Sequence, residues 1–407
     1  MPYEIERLSV HADGIAQGAE GRVHVAMALP GEVVDGTVEA GRIAAPSIVT
    51  ASAERVKAPC PHYRACGGCV LQHASDSFVE RWKAEVVENA LAARGITAEV
   101  RAVETSPTLS RRRASFSGRR TKKGSLVGFH ARASDTVVEV PNCQILRPEL
   151  LATLPALNAA TVLGASRKGE VSFALTLSEA GVEVAATGGK DMEPALFQDL
   201  ARLAEEHDLA RLSWNGETIA ARRPALQSFG PARITPPPGA FLQATAEGEA
   251  ALVAFVREAT AGAHKIADLF AGCGTFTLPL ALGAEVHAVE GEADMLAAMD
   301  KGWRAAQGLK KVSHEARDLF RRPLLPDEIS RYDAVVLDPP RAGAEAQVGE
   351  IATSKLANLV YVSCNPVTFA RDAERLLQAG FALDDVIVVD QFRWSAHIEL
   401  AARFTRA

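Results

Sequence analysis

The segment Asp268-Leu269-Phe270-Ala271-Gly272-Cys273-Gly274-Thr275-Phe276-Thr277 decides how the C-terminal part of this 407-residue chain is read. It leaves an apolar, strand-like stretch at 265–270 and breaks into a turn with two glycines, which let a backbone pass close to a ligand. Further strand candidates follow at 285–290, 312–317, 332–338, 359–363, 386–390 and 397–400, and helices fit between most of them. This rhythm predicts an α/β domain, doubly wound around a mostly parallel sheet. The last two candidates are too close for a helical crossover, so an antiparallel hairpin is expected there. The break at Pro236-Pro237-Pro238-Gly239 sets the domain at 236–407.

Acids close the next two strands. Glu290 ends the second, where a carboxylate can take both hydroxyls of a ribose, and Asp318 follows the third, within reach of an adenine amino group. The turn lacks the last glycine of a dinucleotide fingerprint, because Thr277 stands in its place. With Asp268, these acids suit the cationic sulfonium of S-adenosylmethionine better than NAD. A tight turn with solvated acids is the plain alternative.

Upstream, residues 1–55 read as short strands with Gly-rich turns, the pattern of a small β-barrel. Residues 56–235 read as a mixed α+β central domain that opens with three cysteines and an amphipathic helix over 76–95. The prior of two to three domains for this length thus becomes three. With 48% hydrophobic and 23% charged residues, the composition excludes a largely disordered chain. No run approaches the ~18 apolar residues of a membrane span, and the start of the chain lacks the basic and apolar regions of a secretory signal. A cytoplasmic monomer with no membrane partner is expected.

The net charge of −6 argues mildly against nucleic acid, yet it hides a local extreme. Residues 101–135 carry nine Lys/Arg against Glu104 and Asp135, and seven of those cations fall within 111–123, where there is no acid. Phosphate backbones respond to such local fields, so RNA contact through 111–123 is an expectation, with a solvated basic hairpin as the alternative. The six cysteines are too few for a disulfide scaffold. Cys60, Cys66 and Cys69, with Cys143 downstream, supply four thiols, which by spacing alone suit either zinc or an iron–sulfur cube.

Two loops carry candidate chemistry. Asp338-Pro339-Pro340-Arg341 ends the fourth strand and Ser363-Cys364-Asn365-Pro366 the fifth, both at strand carboxyl ends where open α/β sheets bind ligands. Cys364 is placed to be a nucleophile, although a buried structural cysteine is the commoner case. These loops, with the terminal Asp390-Gln391-Phe392-Arg393-Trp394-Ser395-Ala396-His397-Ile398-Glu399, resemble the RNA uridine-5-methyltransferase family. Phe241-Leu242-Gln243 resembles the family's entry to the cofactor site, the four cysteines its iron–sulfur motif, and residues 1–55 its TRAM RNA-binding barrel.

The resemblance implies a class I, Rossmann-like methyltransferase domain with S-adenosylmethionine and a [4Fe–4S] cluster on Cys60, Cys66, Cys69 and Cys143. It implies that Cys364 adds to uracil C6, that Glu399 removes the C5 proton and that Asp338 and Gln243 hold substrate. Cofactor positions carried over are Gln243, Phe270, Thr275, Glu290, Asp318 and Asp338. Taken alone, Glu399 in its Ile-Glu-Leu alternation reads as the solvent face of a strand. The chain departs from the family pattern at Arg393-Trp394-Ser395, where a proline is usual, and Arg393 becomes a candidate phosphate contact. The parts look most like the 23S ribosomal RNA enzymes. A transfer RNA enzyme and a non-catalytic RNA-binding or assembly factor are the alternatives.

Overall fold

Eight strands form the largest sheet, ordered Val312–Ala316, Glu285–Glu290, Lys265–Leu269, Ala334–Leu337, Asn358–Ser363, Leu400–Thr405, Ala382–Asp390 and Ala102–Thr105. The first five run parallel, and Leu400–Thr405 enters antiparallel between Asn358–Ser363 and Ala382–Asp390. These come from a computed structural model that describes residues 2–406. The apolar runs are continuous because helices cover both faces. Ile266, Val336, Val360 and Val362 point into one core, and Ala267, Leu269, Val335, Leu337 and Tyr361 into the other.

The doubly wound sheet and the final antiparallel pair agree with the sequence reading, with two differences. The last strand begins at Leu400, so residues 397–399 form a loop that leads into it. The eighth strand, Ala102–Thr105, comes from the chain before residue 236 and pairs parallel to Ala382–Asp390. Helix Asp76–Ala92, capped by Ser75 Oγ accepting from Phe78 N at 3.2 Å, buries Val87 and Leu91 in the same core. Residues 76–105 therefore pack as part of the C-terminal layer. Local pattern gave no sign of this, because an edge strand is recruited by tertiary pairing.

The second layer is a seven-stranded sheet, Val137–Val138, Ser125–His130, Arg113–Arg120, Glu170–Ser178, Gly181–Thr187, Arg211–Trp214 and Glu217–Ala221. Helices Leu154–Gly164 and Pro194–Glu206 cover its core, with Phe116, Phe173 and Trp214 fully buried. At the N-terminus a three-stranded and a four-stranded sheet enclose Ile5, Val23, Val25, Val34 and Ile43. Asp13 of this small unit takes ion pairs from Arg42 (2.9 Å) and from Arg132 of the central layer (3.4 Å). Among the described residues no helix is long and apolar enough to cross a membrane.

Candidate active site

The glycine turn is shaped from below. Phe270 N and Ala271 N both donate to Val289 O, at 2.9 and 3.1 Å, and Phe270 (φ 63°), Gly272 (φ 56°) and Gly274 (φ 92°) take left-handed backbone. Glu290 receives Gly272 N at 3.0 Å through one carboxylate oxygen and Glu292 N at 3.0 Å through the other. Thr275 is half-buried in the turn. Beneath it Asp268 is fully buried; one oxygen accepts from the Thr277 hydroxyl and the other has no partner. Burial pushes the Asp268 carboxyl up to about 7. Asp318 caps its own turn, accepting from Phe320 N at 3.0 Å, and sets Phe320 beside Phe270 with ring centroids 5.5 Å apart. Phe320, 47% exposed, was not singled out from sequence.

The two chemical loops are tied together. Asn365 caps helix Pro366–Gln378 by accepting from Val367 N at 3.1 Å, with Pro366 in its first turn. Asn365 Nδ2 also donates to Arg341 O at 2.9 Å, and Thr368 Oγ1 donates to the same oxygen at 3.2 Å. Cys364 is thereby held at a strand-to-helix junction beside the Asp338 loop.

Glu399 is 4% exposed, so the solvent-face reading fails: the residue precedes its strand and turns inward. Its carboxyl is pushed up to about 7 by burial, against the opposing hydrogen bond from Gln391. Asp338 is raised by burial and by the charges of Glu399, Asp268 and Glu290. Burial, with Glu399 and Asp338 nearby, pushes the Cys364 thiol up to about 11. Acids thus cluster around a thiol where burial and like charge oppose further negative charge, an environment that a cation would relieve. Gln243 is 3% exposed and joins the group through Gln391 Nε2, which donates to Gln243 Oε1 at 2.6 Å. Gln391 and Arg341 were missed as individual residues, although both lie in stretches that the sequence brings forward.

Cys364 opens on a groove of about 890 Å³ whose walls include Arg341, His397, Trp82 of the helix and Arg7, Leu8 and His11 of the N-terminal unit. His397 also lines a second cavity of about 360 Å³, which contains all four cysteines Cys60, Cys66, Cys69 and Cys143. The loop carrying Phe392, Arg393 and His397 is therefore the wall between thiol cavity and groove. The four cysteines are free of disulfides. Among the described residues no three His, Cys, Asp or Glu side chains are gathered closely enough to hold a metal ion.

The basic stretch is less exposed than its composition suggests. Arg111 lines the thiol cavity, stacks 5.2 Å over Phe392 and donates to Arg113 O at 2.9 Å. Arg112 pairs with Glu249 (2.5 Å) and donates to Gln243 O (3.2 Å), Arg113 lies 4.7 Å over the exposed Phe241 ring, and Arg119 pairs with Glu170 (2.6 Å). Of the seven cations in 111–123, only Arg120, Lys122 and Lys123 stand exposed, around a hairpin turn. Arg393 is likewise engaged. It pairs with Asp76 at 2.5 Å and stacks on Trp394, so it is an anchor of the loop and not the free phosphate contact expected from sequence.

A model of the tRNA (Uracil-5-)-methyltransferase family matches residues 304–406. An uncharacterised RNA methyltransferase of Brucella suis is 43% identical over 402 residues, covering 99% of this chain and 97% of that protein. The 23S rRNA (uracil(1939)-C(5))-methyltransferase of Chromohalobacter salexigens is 32% identical over 431 residues, covering 99% and 88%. The fold matches the crystal structure of the Pyrococcus abyssi tRNA (uracil-54, C5)-methyltransferase bound to S-adenosyl-L-homocysteine, with a TM-score of 0.77, 21% identity and full coverage of both chains.

Proposed function

This chain belongs to the RNA uracil-5-methyltransferase family, whose members use S-adenosylmethionine, and on that premise we propose that it methylates C5 of a specific uridine in 23S ribosomal RNA. The observation that carries the reading is that Asp338 and Cys364 follow neighbouring strands, that each acts on or feels the charge of the buried Glu399, and that Cys364 opens on a groove of about 890 Å³. The full-length relative named for 23S rRNA favours ribosomal over transfer RNA.

When bound, S-adenosylmethionine supplies an electrophilic methyl group on a cationic sulfonium. Asp268, Glu290 and Asp338, once ionised, would supply negative charge beside that cation, Glu290 and Asp318 would take its ribose and adenine, and Phe270, Thr275 and Gln243 would line the pocket. Cys364, once deprotonated, adds to C6 and turns the ring into an enolate nucleophilic at C5. Asp338 holds the uracil edge. After methyl transfer Glu399 takes the C5 proton; the C5–H electrons rebuild the C5=C6 bond, and the C6–S bond breaks to return a thiolate on Cys364. The RNA contacts are the exposed cations Arg120, Lys122 and Lys123 and the N-terminal unit beside the groove, and a paired target would be unstacked and flipped to reach Cys364.

The donor set also fits a [4Fe–4S] cluster on Cys60, Cys66, Cys69 and Cys143. The four thiols line one cavity without gathering round a single point, and Arg111 on its wall has no carboxylate partner among the described residues. A guanidinium beside four thiolates suits a group that is anionic once ligated. Its role would be structural, fixing the cavity wall that also borders the groove.

Incubation with labelled S-adenosylmethionine and total RNA from a strain lacking the gene, followed by mass mapping, should place 5-methyluridine in 23S rRNA. Cys364→Ala should abolish transfer, and RNA carrying 5-fluorouridine should form a covalent adduct. Methylation confined to transfer RNA, or none, refutes the proposal. About four irons per chain after anaerobic purification support the cluster; stoichiometric zinc excludes it.

A further inference from the structure

We infer that Gln391 is the positioning residue for proton removal, holding the Glu399 carboxylate and the Gln243 side chain in one fixed arrangement. The inference rests on the reading of Glu399 as the base.

Gln391 is 1% exposed. Its Oε1 accepts from Ala244 N at 2.7 Å. A backbone N–H can only donate, so this bond fixes which end of the amide is oxygen. Nε2 must then face the other way, where it donates to Gln243 Oε1 at 2.6 Å and to Glu399 Oε2 at 3.4 Å. Space for Gln391 is made by Gly248, at which a Cβ would sit 2.8 Å from Gln391 Cβ. The backbone of Glu399 is separately pinned, Val389 N donating to Glu399 O at 2.8 Å.

Two consequences follow from the amide's direction. Occupying Gln243 Oε1 leaves Gln243 Nε2 without a protein partner among the described residues, free to donate to a carbonyl acceptor such as a pyrimidine oxygen. Gln391 Nε2 is also, among the described residues, the one side-chain donor to Glu399. The other charged and titratable groups of the site oppose its ionisation or act elsewhere: Asp338 and Cys364 each feel its charge, Asp268 and Glu290 act on Asp338, Arg341 acts on Cys364, and Lys83 is taken by Asp390. A base must be ionised before it can accept a proton, so the donor from Gln391 keeps Glu399 competent in a site that resists its charge.

The test uses Gln391→Leu, Gln391→Glu and Glu399→Gln in the full chain, with total RNA from a strain lacking the gene and S-adenosylmethionine labelled on the methyl group. Gln391→Glu keeps the side chain's shape and the acceptor for Ala244 N–H but sets a second carboxyl against Glu399 where the donor was, so it carries the test if the leucine variant does not fold, and the leucine variant isolates the loss of the donor. Both Gln391 variants should lower kcat about tenfold, a larger change than in KM for RNA or cofactor, and should move the acidic limb of kcat up by about one pH unit. They should also accumulate a methylated, covalent protein–RNA adduct on denaturing gels, because proton removal follows methyl transfer. An unmoved acidic limb without adduct in both variants, while Glu399→Gln stalls as the adduct, overturns this inference and leaves the proposed reaction standing. Normal turnover by Glu399→Gln overturns both.

Discussion

Lys83 and Asp390 form an ion pair 307 positions apart in sequence, at 2.5 Å and closed off from water, with side chains 0% and 1% exposed. Lys83 Nζ also donates to His397 O at 3.0 Å, while Asp390 Oδ1 accepts from Phe392 N at 3.1 Å. The pair thus fastens both ends of the loop 391–398 to helix Asp76–Ala92. That loop positions Gln391, walls off the cysteine cavity and delivers the chain to Glu399.

Removing one partner should be severe. Lys83→Met leaves a buried carboxylate alone and is expected to cost about 3–5 kcal/mol, measured by denaturant unfolding. Lys83→Met combined with Asp390→Asn should recover part of that loss. A double variant less stable than either single one would show that the pair is not the source of the effect.

The buried acids make stability depend on pH in an unusual direction. The folded chain keeps protons on Asp268 and Glu399 up to about 7, against ordinary values of 3.8 and 4.5. Between these limits the native state binds more protons than the unfolded one, so raising the pH favours unfolding. The melting temperature of ligand-free protein should fall from pH 5 to 7, and Asp268→Asn should flatten that fall. Added S-adenosylmethionine should raise the melting temperature more than S-adenosylhomocysteine does at pH 8, and the difference should shrink at pH 5.5. Equal gains at both pH values would refute the idea that the acids select for the sulfonium.

The basic stretch should divide by function. Reversing Arg120, Lys122 and Lys123 to Glu should weaken RNA binding and lower the slope of log affinity against log salt by about two to three. Arg112→Ala should instead act on thermal stability and the active site, because its guanidinium is engaged with Glu249 and the Gln243 carbonyl. Filter binding over a range of salt separates the two; equal salt slopes for wild type and the triple variant would contradict the assignment.

Gly274 should not accept a side chain. Its φ of 92° is left-handed, and a Cβ would lie 2.7 Å from Met299 Cγ. Gly274→Ala should lose about 1–3 kcal/mol of stability and at least tenfold in cofactor affinity by calorimetry. Unchanged cofactor binding would show that the turn does not shape that pocket.

The sequence by itself determined the doubly wound domain, since two-faced burial requires continuous apolar strands and crossover helices leave their own period. It also marked Asp338, Cys364 and the glycine turn, because Pro, Gly and Asn residues fix local backbone at strand ends. The inward turn of Glu399 was legible only through family resemblance, as an Ile-Glu-Leu alternation has the same local pattern on either face of a strand. Tertiary structure alone decided the rest. Whether Arg111, Arg112 and Arg113 face solvent or the interior depends on Phe392, Glu249 and Phe241, which lie more than a hundred residues away. The roles of Lys83, Gln391 and Arg393 are of the same kind. A buried polar side chain is defined by the partner that satisfies it, and that partner is chosen by packing between distant segments.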